Sequence, residues 1–179
     1  MIDGFVSLSG RKVLLRPFEQ SDITPEYVAW LNDPETVRYS NQRFMVHTES
    51  SCRAYRESFL NTPNLFLSVR TQGEDLAIGT MTAYVSPQHG VADIGIMIGR
   101  KSARGQGTGQ DAWNTLVSWF IDARRIRKVA AGAMGSNKAM IRIMERSGMH
   151  CEAVRPKHEL LDGEPQDLHF YGKYAQAAD

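Results

Sequence analysis

Cysteine is scarce in this chain of 179 residues: Cys52 and Cys151 are the only two. Neither lies in a Cys-x-x-Cys or Cys/His array, so the spacing of a structural zinc site is missing, and no metal is expected. One disulfide between them is the alternative to two buried free thiols in a reducing compartment, and the thiols are the expected state. Long hydrophobic runs are also missing, since no stretch reaches the ~20 apolar residues of a membrane span. Met1 to Gly10 lacks a basic segment followed by an apolar run, so no signal peptide is read there. There is no excess of one charge: the formal net charge is +1. A nucleic-acid binder needs a basic surplus. These absences lead to the expectation of a cytoplasmic protein without nucleic-acid or membrane partners, a monomer or homodimer.

Repeats, low-complexity tracts and Pro/Gly/Ser linkers are absent as well, which predicts one domain over 1–179. Hydrophobic residues make up 42% and charged residues 23%, the balance of an ordinary globular chain. A chain of this length buries a core without staples.

The patterning then predicts the elements. Residues 11–17 read as a strand ended by Pro17. Ser21 to Asp33 reads as a helix, with Pro25 early and Tyr27, Val28, Trp30 and Leu31 at helical spacing. A second helix is expected from Thr48 to about Thr62-Pro63. Strands follow at 65–70, 76–85 and 91–98, separated by turn compositions at Gln72–Asp75 and Pro87–Gly90. A helix over 107–125 buries Ala112, Trp113, Leu116, Val117, Phe120 and Ile121. Strand 128–133 and helix 137–147 come next, with Gly148 as a left-handed cap. Two last strands flank Leu161-Asp162-Gly163-Glu164, where Asp-Gly is a hairpin signal. The order is that of an α+β sandwich with a mostly antiparallel sheet.

Arg104-Gly105-Gln106-Gly107-Thr108-Gly109 falls between a strand and a helix. Glycines allow close main-chain approach and positive φ. Successive N–H groups and the helix N-terminus make an anion cradle, suited to a pyrophosphate. Lys101 and Arg104 are candidates for added charge-assisted contacts. A Walker loop would need Gly-Lys-Ser/Thr, which is absent. A dinucleotide loop would need G-x-G-x-x-G in a βαβ unit, whereas these glycines run G-x-G-x-G after an apparent meander. A dinucleotide site and a plain glycine-rich turn remain alternatives on these residues alone.

Arg104, Gly107 and Gly109 match R/Q-x-x-G-x-G/A, the motif of the GCN5-related N-acetyltransferase (GNAT) family. Ala92-Asp93-Ile94-Gly95 resembles that family's strand before the loop. Asn137 to Met149 resembles its N-x-x-A-I-x-x-Y-E-K-x-G-F helix. Leu14-Leu15-Arg16-Pro17 and the hairpin from Leu161 to Tyr171 are similar to the branch of ribosomal-protein N-terminal (RimJ/RimL-type) acetyltransferases. The resemblance spans about 11–174. It implies a mixed, mostly antiparallel sheet with helices on both faces. Two parallel strands, 91–98 and 128–133, would splay apart to admit acetyl-CoA, the co-substrate.

The same resemblance places the pantetheine on the main chain of Met97 and Ile98 and the pyrophosphate on Arg104, Gly105, Gln106, Gly107, Thr108 and Gly109. Asn137 would contact the cofactor, although Asn is also a good helix N-cap. Lys138 and Arg142, four apart on one helical face, are candidates for the CoA 3′-phosphate. The implied reaction is direct attack of an amine on the thioester in a ternary complex, which needs a base for the amine proton. Asp93 is the candidate. Most of the family carries a Tyr as leaving-group acid where this chain has Met144, and Ser136 is the weaker substitute. That departure keeps a non-catalytic acyl-CoA-binding or sensing domain as the alternative. Acceptor recognition is expected at Tyr39, Arg43, His47 and Arg155. The acceptor is either a protein N-terminal amine or a small amine such as a nucleotide-linked amino sugar.

Overall fold

A computed structural model describes residues 7–176. Residues 1–6, most of the segment read for a leader, and 177–179 lie outside it. The strands are β1 (Leu8–Ser9), β2 (Val13–Pro17), β3 (Leu65–Thr71), β4 (Ala77–Ser86), β5 (Val91–Ile98), β6 (Lys128–Met134), β7 (His150–Leu161) and β8 (Glu164–Tyr174). The helices are α1 (Pro25–Asn32), α2 (Glu49–Glu57), α3 (Thr108–Ser118) and α4 (Lys138–Arg146). One sheet holds all eight strands in the order β1-β2-β3-β4-β5-β6-β8-β7. Its pairs are antiparallel except β5–β6, which is parallel. This is the expected α+β, mostly antiparallel architecture.

Local chemistry explains most element ends. Thr24 caps α1 through Tyr27 N–H at 3.1 Å, with Pro25 in the first turn. The stretch before it, Gln20–Asp22, is a separate 3₁₀ turn, so α1 begins later than expected. Arg16 on β2 holds this turn through both oxygens of the buried Asp22, each at 2.7 Å. Thr48 and Ser51 form a capping box at the start of α2. That helix stops at Glu57, short of Thr62-Pro63, and the chain turns through Asn61 at φ 59°. Helix α3 also ends early and passes into a π-helical turn, Trp119–Ala123. Gly148 takes φ 76° after α4, the expected left-handed cap. Asp162 and Gly163 take φ 52° and 84°, the pair of positive angles a two-residue hairpin turn requires. β1 was not expected; it is a two-residue strand against Leu14 and Leu15.

Two apolar clusters cover the two sheet faces. On one, Ala92, Ile94, Ile96 and Ile98 of β5 pack with Trp113, Leu116 and Phe120, and with Met144 of α4. On the other, Met97 packs with Trp30, Tyr27, Phe59 and Phe66. Helices therefore lie on both faces. Both cysteines are free, but only Cys52 is buried; Cys151 is exposed on β7. The expectation of two buried thiols is corrected there, because β7 is an edge strand exposed along most of its length.

Candidate active site

The parallel pair β5–β6 is short. It is joined at Val91↔Lys128, Ala92↔Val129 and Asp93↔Ala130 and no further. Beyond Asp93, β5 stays with β4 as far as Ile98, and β6 stays with β8 as far as Met134. A gap opens between the two strands toward the C-terminal end of β5. Main-chain groups alternate sides along a strand. Gly99 N–H bonds Ile78 C=O on the β4 side at 3.0 Å, and Lys128 N–H bonds Gly90 C=O on the β6 side at 3.0 Å. By that alternation Ile94, Ile96 and Ile98 present their main chain to the gap, while Met97 turns its main chain to β4. The expectation for Met97 is corrected accordingly: its side chain packs under the sheet, and Ile96 joins Ile98 at the gap edge. The C=O of Ile98 is already held by Arg104 Nε at 3.0 Å, so its N–H is what remains.

The glycine loop closes the open end of the gap. Gly105 and Gly107 take φ 73° and 76°, where a side chain is disfavoured. Gly109 lies in the first turn of α3, where a Cβ would be in van der Waals contact with Ile98 at 3.5 Å and Ile143 at 3.7 Å. Among the described residues, the N–H groups of Gly105 to Gln110 make no hydrogen bond to a protein acceptor. Six such donors at a helix N-terminus fit an anionic pyrophosphate. The side chain of Arg104 points elsewhere. It donates to Ile98 and Gly99 carbonyls, to Thr36 Oγ1 at 2.6 Å and to Glu35 at 3.1 Å. Lys101 pairs with Glu35 at 2.7 Å and Asp33 at 3.4 Å. Both cations are thus engaged with the segment after α1, and the loop offers main chain. Lys138 and Arg142 are exposed on α4. Asn137 caps that helix, its Oδ1 accepting from Met140 N–H at 3.2 Å.

Asp93 stands where the gap begins, on the sheet face that carries Met97. Tyr84 is its direct neighbour on β4 and Ala130 on β6. It is exposed at the sheet surface and makes no hydrogen bond or ion pair among the described residues, and partial desolvation by the surrounding sheet pushes its pKa above the ordinary carboxylate value. The Tyr84 hydroxyl lies 2.9 Å from that of Tyr55 on α2. Burial and this contact push the Tyr55 phenol up. The tyrosine pair was missed in the sequence because its partners come from separate elements.

Met144 is 0% exposed and belongs to the core. Ser136 lies between β6 and α4, and its Oγ is buried without a hydrogen-bond partner. His47 is buried and engaged in loop closure: its main-chain N–H donates to Asn32 at 2.9 Å, its C=O accepts from the same amide at 2.8 Å, and its imidazole Nε2 lies 3.3 Å from Gln42 C=O. Arg43 donates to Leu160 C=O at 2.8 Å and Arg38 pairs with Asp162 at 2.6 Å, so the loop after α1 is tied to the β7–β8 turn. Tyr39 is exposed, and Arg155 lies 4.8 Å over the ring of Phe170. A surface hollow of about 550 Å³ beside Asn61, Val85 and Gln88 lies at the opposite end of β5 from the loop. No three His, Cys, Asp or Glu side chains are grouped to hold a metal among the described residues. No described helix is long and apolar enough to cross a membrane.

A family model described as an acetyltransferase (GNAT) domain matches residues 12–150. The chain belongs to the GNAT acetyltransferase family. An N-acetyltransferase-9-like protein of Nematostella vectensis is 25% identical over 160 residues, covering 82% of this chain and 79% of that protein. A GNAT-family acetyltransferase structure from Bacillus anthracis superposes with a TM-score of 0.81 at 19% identity, over 95% of this chain and 99% of that one. RimL, a ribosomal-protein α-N-acetyltransferase solved with coenzyme A, superposes with a TM-score of 0.82 at 16% identity, over 94% and 97%. The expectations of a GNAT fold, an acetyltransferase and acetyl-CoA as co-substrate therefore stand.

Proposed function

We propose that the chain, working as one domain over 1–179 in the cytoplasm, moves an acetyl group from acetyl-CoA to a primary amine by direct attack in a ternary complex. The observation that carries this is the gap between β5 and β6. One end is lined by the free N–H groups of Gly105–Gln110, and Asp93 stands at the other. The gap-facing main chain of Ile96 and Ile98 would pair with the pantetheine as an added strand would. The loop N–H groups would hold the pyrophosphate, with Lys138 and Arg142 near the 3′-phosphate. Acetyl-CoA supplies an activated acyl group on a thiol leaving group.

The protein's own work is proton transfer and positioning. An ammonium cannot attack, so the incoming amine must first lose a proton. Asp93 is unpaired, and its raised pKa makes it a stronger base than an ordinary aspartate. The N–H groups along the gap would stabilise the developing oxyanion. Met144 is shut in the core, so it contacts no leaving thiolate. Ser136 Oγ is the remaining donor beside α4.

The acceptor would enter on the face of Asp93, Tyr84 and Tyr55, under the joined loop and hairpin that carry Tyr39, Arg43 and Arg155. A protein N-terminal amine is the first class to test, because RimL is named for that chemistry. Small amines, including nucleotide-linked amino sugars, are the second. A thiol-release assay with acetyl-CoA against peptides, polyamines and amino sugars tests both. Tight CoA binding with no turnover on any of them would favour the non-catalytic, sensing alternative.

A further inference from the structure

Lys12 lies 94 residues before Gln106 of the glycine loop, yet its Nζ donates to Gln106 C=O at 2.7 Å. Lys12 is exposed, but its main chain is well fixed. Lys12 N–H donates to Asp111 Oδ2 at 2.7 Å, and its C=O accepts from Gln72 N–H at 2.9 Å. The same Asp111 carboxylate takes the N–H groups of Arg11 at 3.1 Å and Val13 at 3.2 Å. Gly10 makes this approach feasible, since a Cβ there would fall 2.5 Å from Asp111. The start of β2 is thus fastened to the first turn of α3, and Lys12 is carried to the loop.

The Gln106 C=O and the Gly107 N–H belong to one planar trans peptide and point in opposite directions. A cation holding the oxygen from behind aims the N–H forward. At φ 76°, Gly107 leaves that peptide free to rotate, and a Cβ there would lie 3.6 Å from Lys12 Nζ. The loop supplies nothing else that fixes this peptide, because the Gly107 N–H has no protein acceptor among the described residues.

We infer that Lys12 is a positioning residue for the acyl-CoA pyrophosphate, acting through the Gln106–Gly107 peptide. This rests on the proposed seat of the pyrophosphate at the loop. The role needs the lysine charge and the pyrophosphate, and is indifferent to the 3′-phosphate and to the pantetheine.

NMR titrations of wild type, Lys12→Met and Lys12→Arg with CoA, dephospho-CoA and pantetheine test it. Lys12→Met should weaken CoA and dephospho-CoA alike, by roughly three- to tenfold, the value of one ordinary hydrogen bond, since the lysine is exposed and acts through the peptide. Pantetheine affinity should stay unchanged, Lys12→Arg should recover most of the loss, and the Gly107 amide shift on dephospho-CoA binding should shrink in Lys12→Met. Loss with CoA but not dephospho-CoA would mean direct contact with the 3′-phosphate and overturn the inference. An equal loss with pantetheine would mark a general structural effect and overturn it too, as would no loss at all. Should Lys12→Met fail to fold, Lys12→Gln and the Gly107 shift in Lys12→Arg decide in its place. Wild type that binds none of the three ligands would sink the underlying cofactor reading as well.

Discussion

Arg104 donates from Nη2 to Thr36 Oγ1 at 2.6 Å, joining the arginine of the glycine loop to the segment that follows α1. The same guanidinium holds Ile98 and Gly99 carbonyls at the end of β5. One side chain therefore couples the glycine loop, the gap edge and the start of the loop after α1.

Arg104→Ala should release all three. The expected cost is about 2 kcal/mol of stability, from hydrogen bonds to a charged group that is mostly shielded. Affinity for acetyl-CoA should fall together with affinity for the acceptor. Urea unfolding and the two KM values measure this. A change in the acetyl-CoA KM alone would mean that Arg104 contacts only the cofactor.

Asp93, the proposed base, is expected to set activity against stability. Partial desolvation raises the folded pKa of this exposed carboxylate above the unfolded value, so the folded protein binds the proton somewhat more tightly and the effect on stability is small. Its contribution is most favourable in acid. It is lost as pH rises from the ordinary aspartate pKa through the raised folded value. Asp93→Asn should thus be at least as stable as wild type at pH 7, with the difference disappearing in acid. As general base its loss should slow turnover by about 10²–10⁴-fold and remove the acidic limb of the rate profile. Thermal melts across pH and a pH–rate profile check both; full activity of the amide variant would exclude Asp93 as the base.

Gly79 faces the main chain of β5, where a Cβ would collide with Met97 C=O. Alanine at this position has no flexible neighbour to displace. Gly79→Ala should cost about 3 kcal/mol, at the upper end of overpacking effects. It should also weaken CoA binding, because the gap edge at Ile96 and Ile98 would shift. Chemical denaturation and calorimetry test this, and near-wild-type values for both would contradict the packing described.

Met144→Tyr restores the family's usual residue on paper. The position is fully buried among Trp113, Leu116 and neighbouring core groups. The larger side chain should cost about 1–3 kcal/mol by overpacking and bring no gain in rate. A variant that folds normally and turns over faster would show that the helix can present this position to the gap.

The glycine loop, the strand before it and the α4 helix were legible in the sequence because their signals are local. Positive φ selects glycine at 105, 107 and 163, caps select Thr48 and Asn137, and side-chain period separates strands from helices. Family membership rested on these short-range patterns and did not need coordinates. The structure decided what depends on how distant segments stack. Which main-chain groups of β5 face the gap follows from where its pairing with β6 ends. That Arg104 is engaged with Thr36, that Met144 is enclosed, and that Lys12 reaches Gln106 are long-range facts. Each depends on contacts between residues far apart in the chain, set by burial and sheet order, and no local preference encodes them.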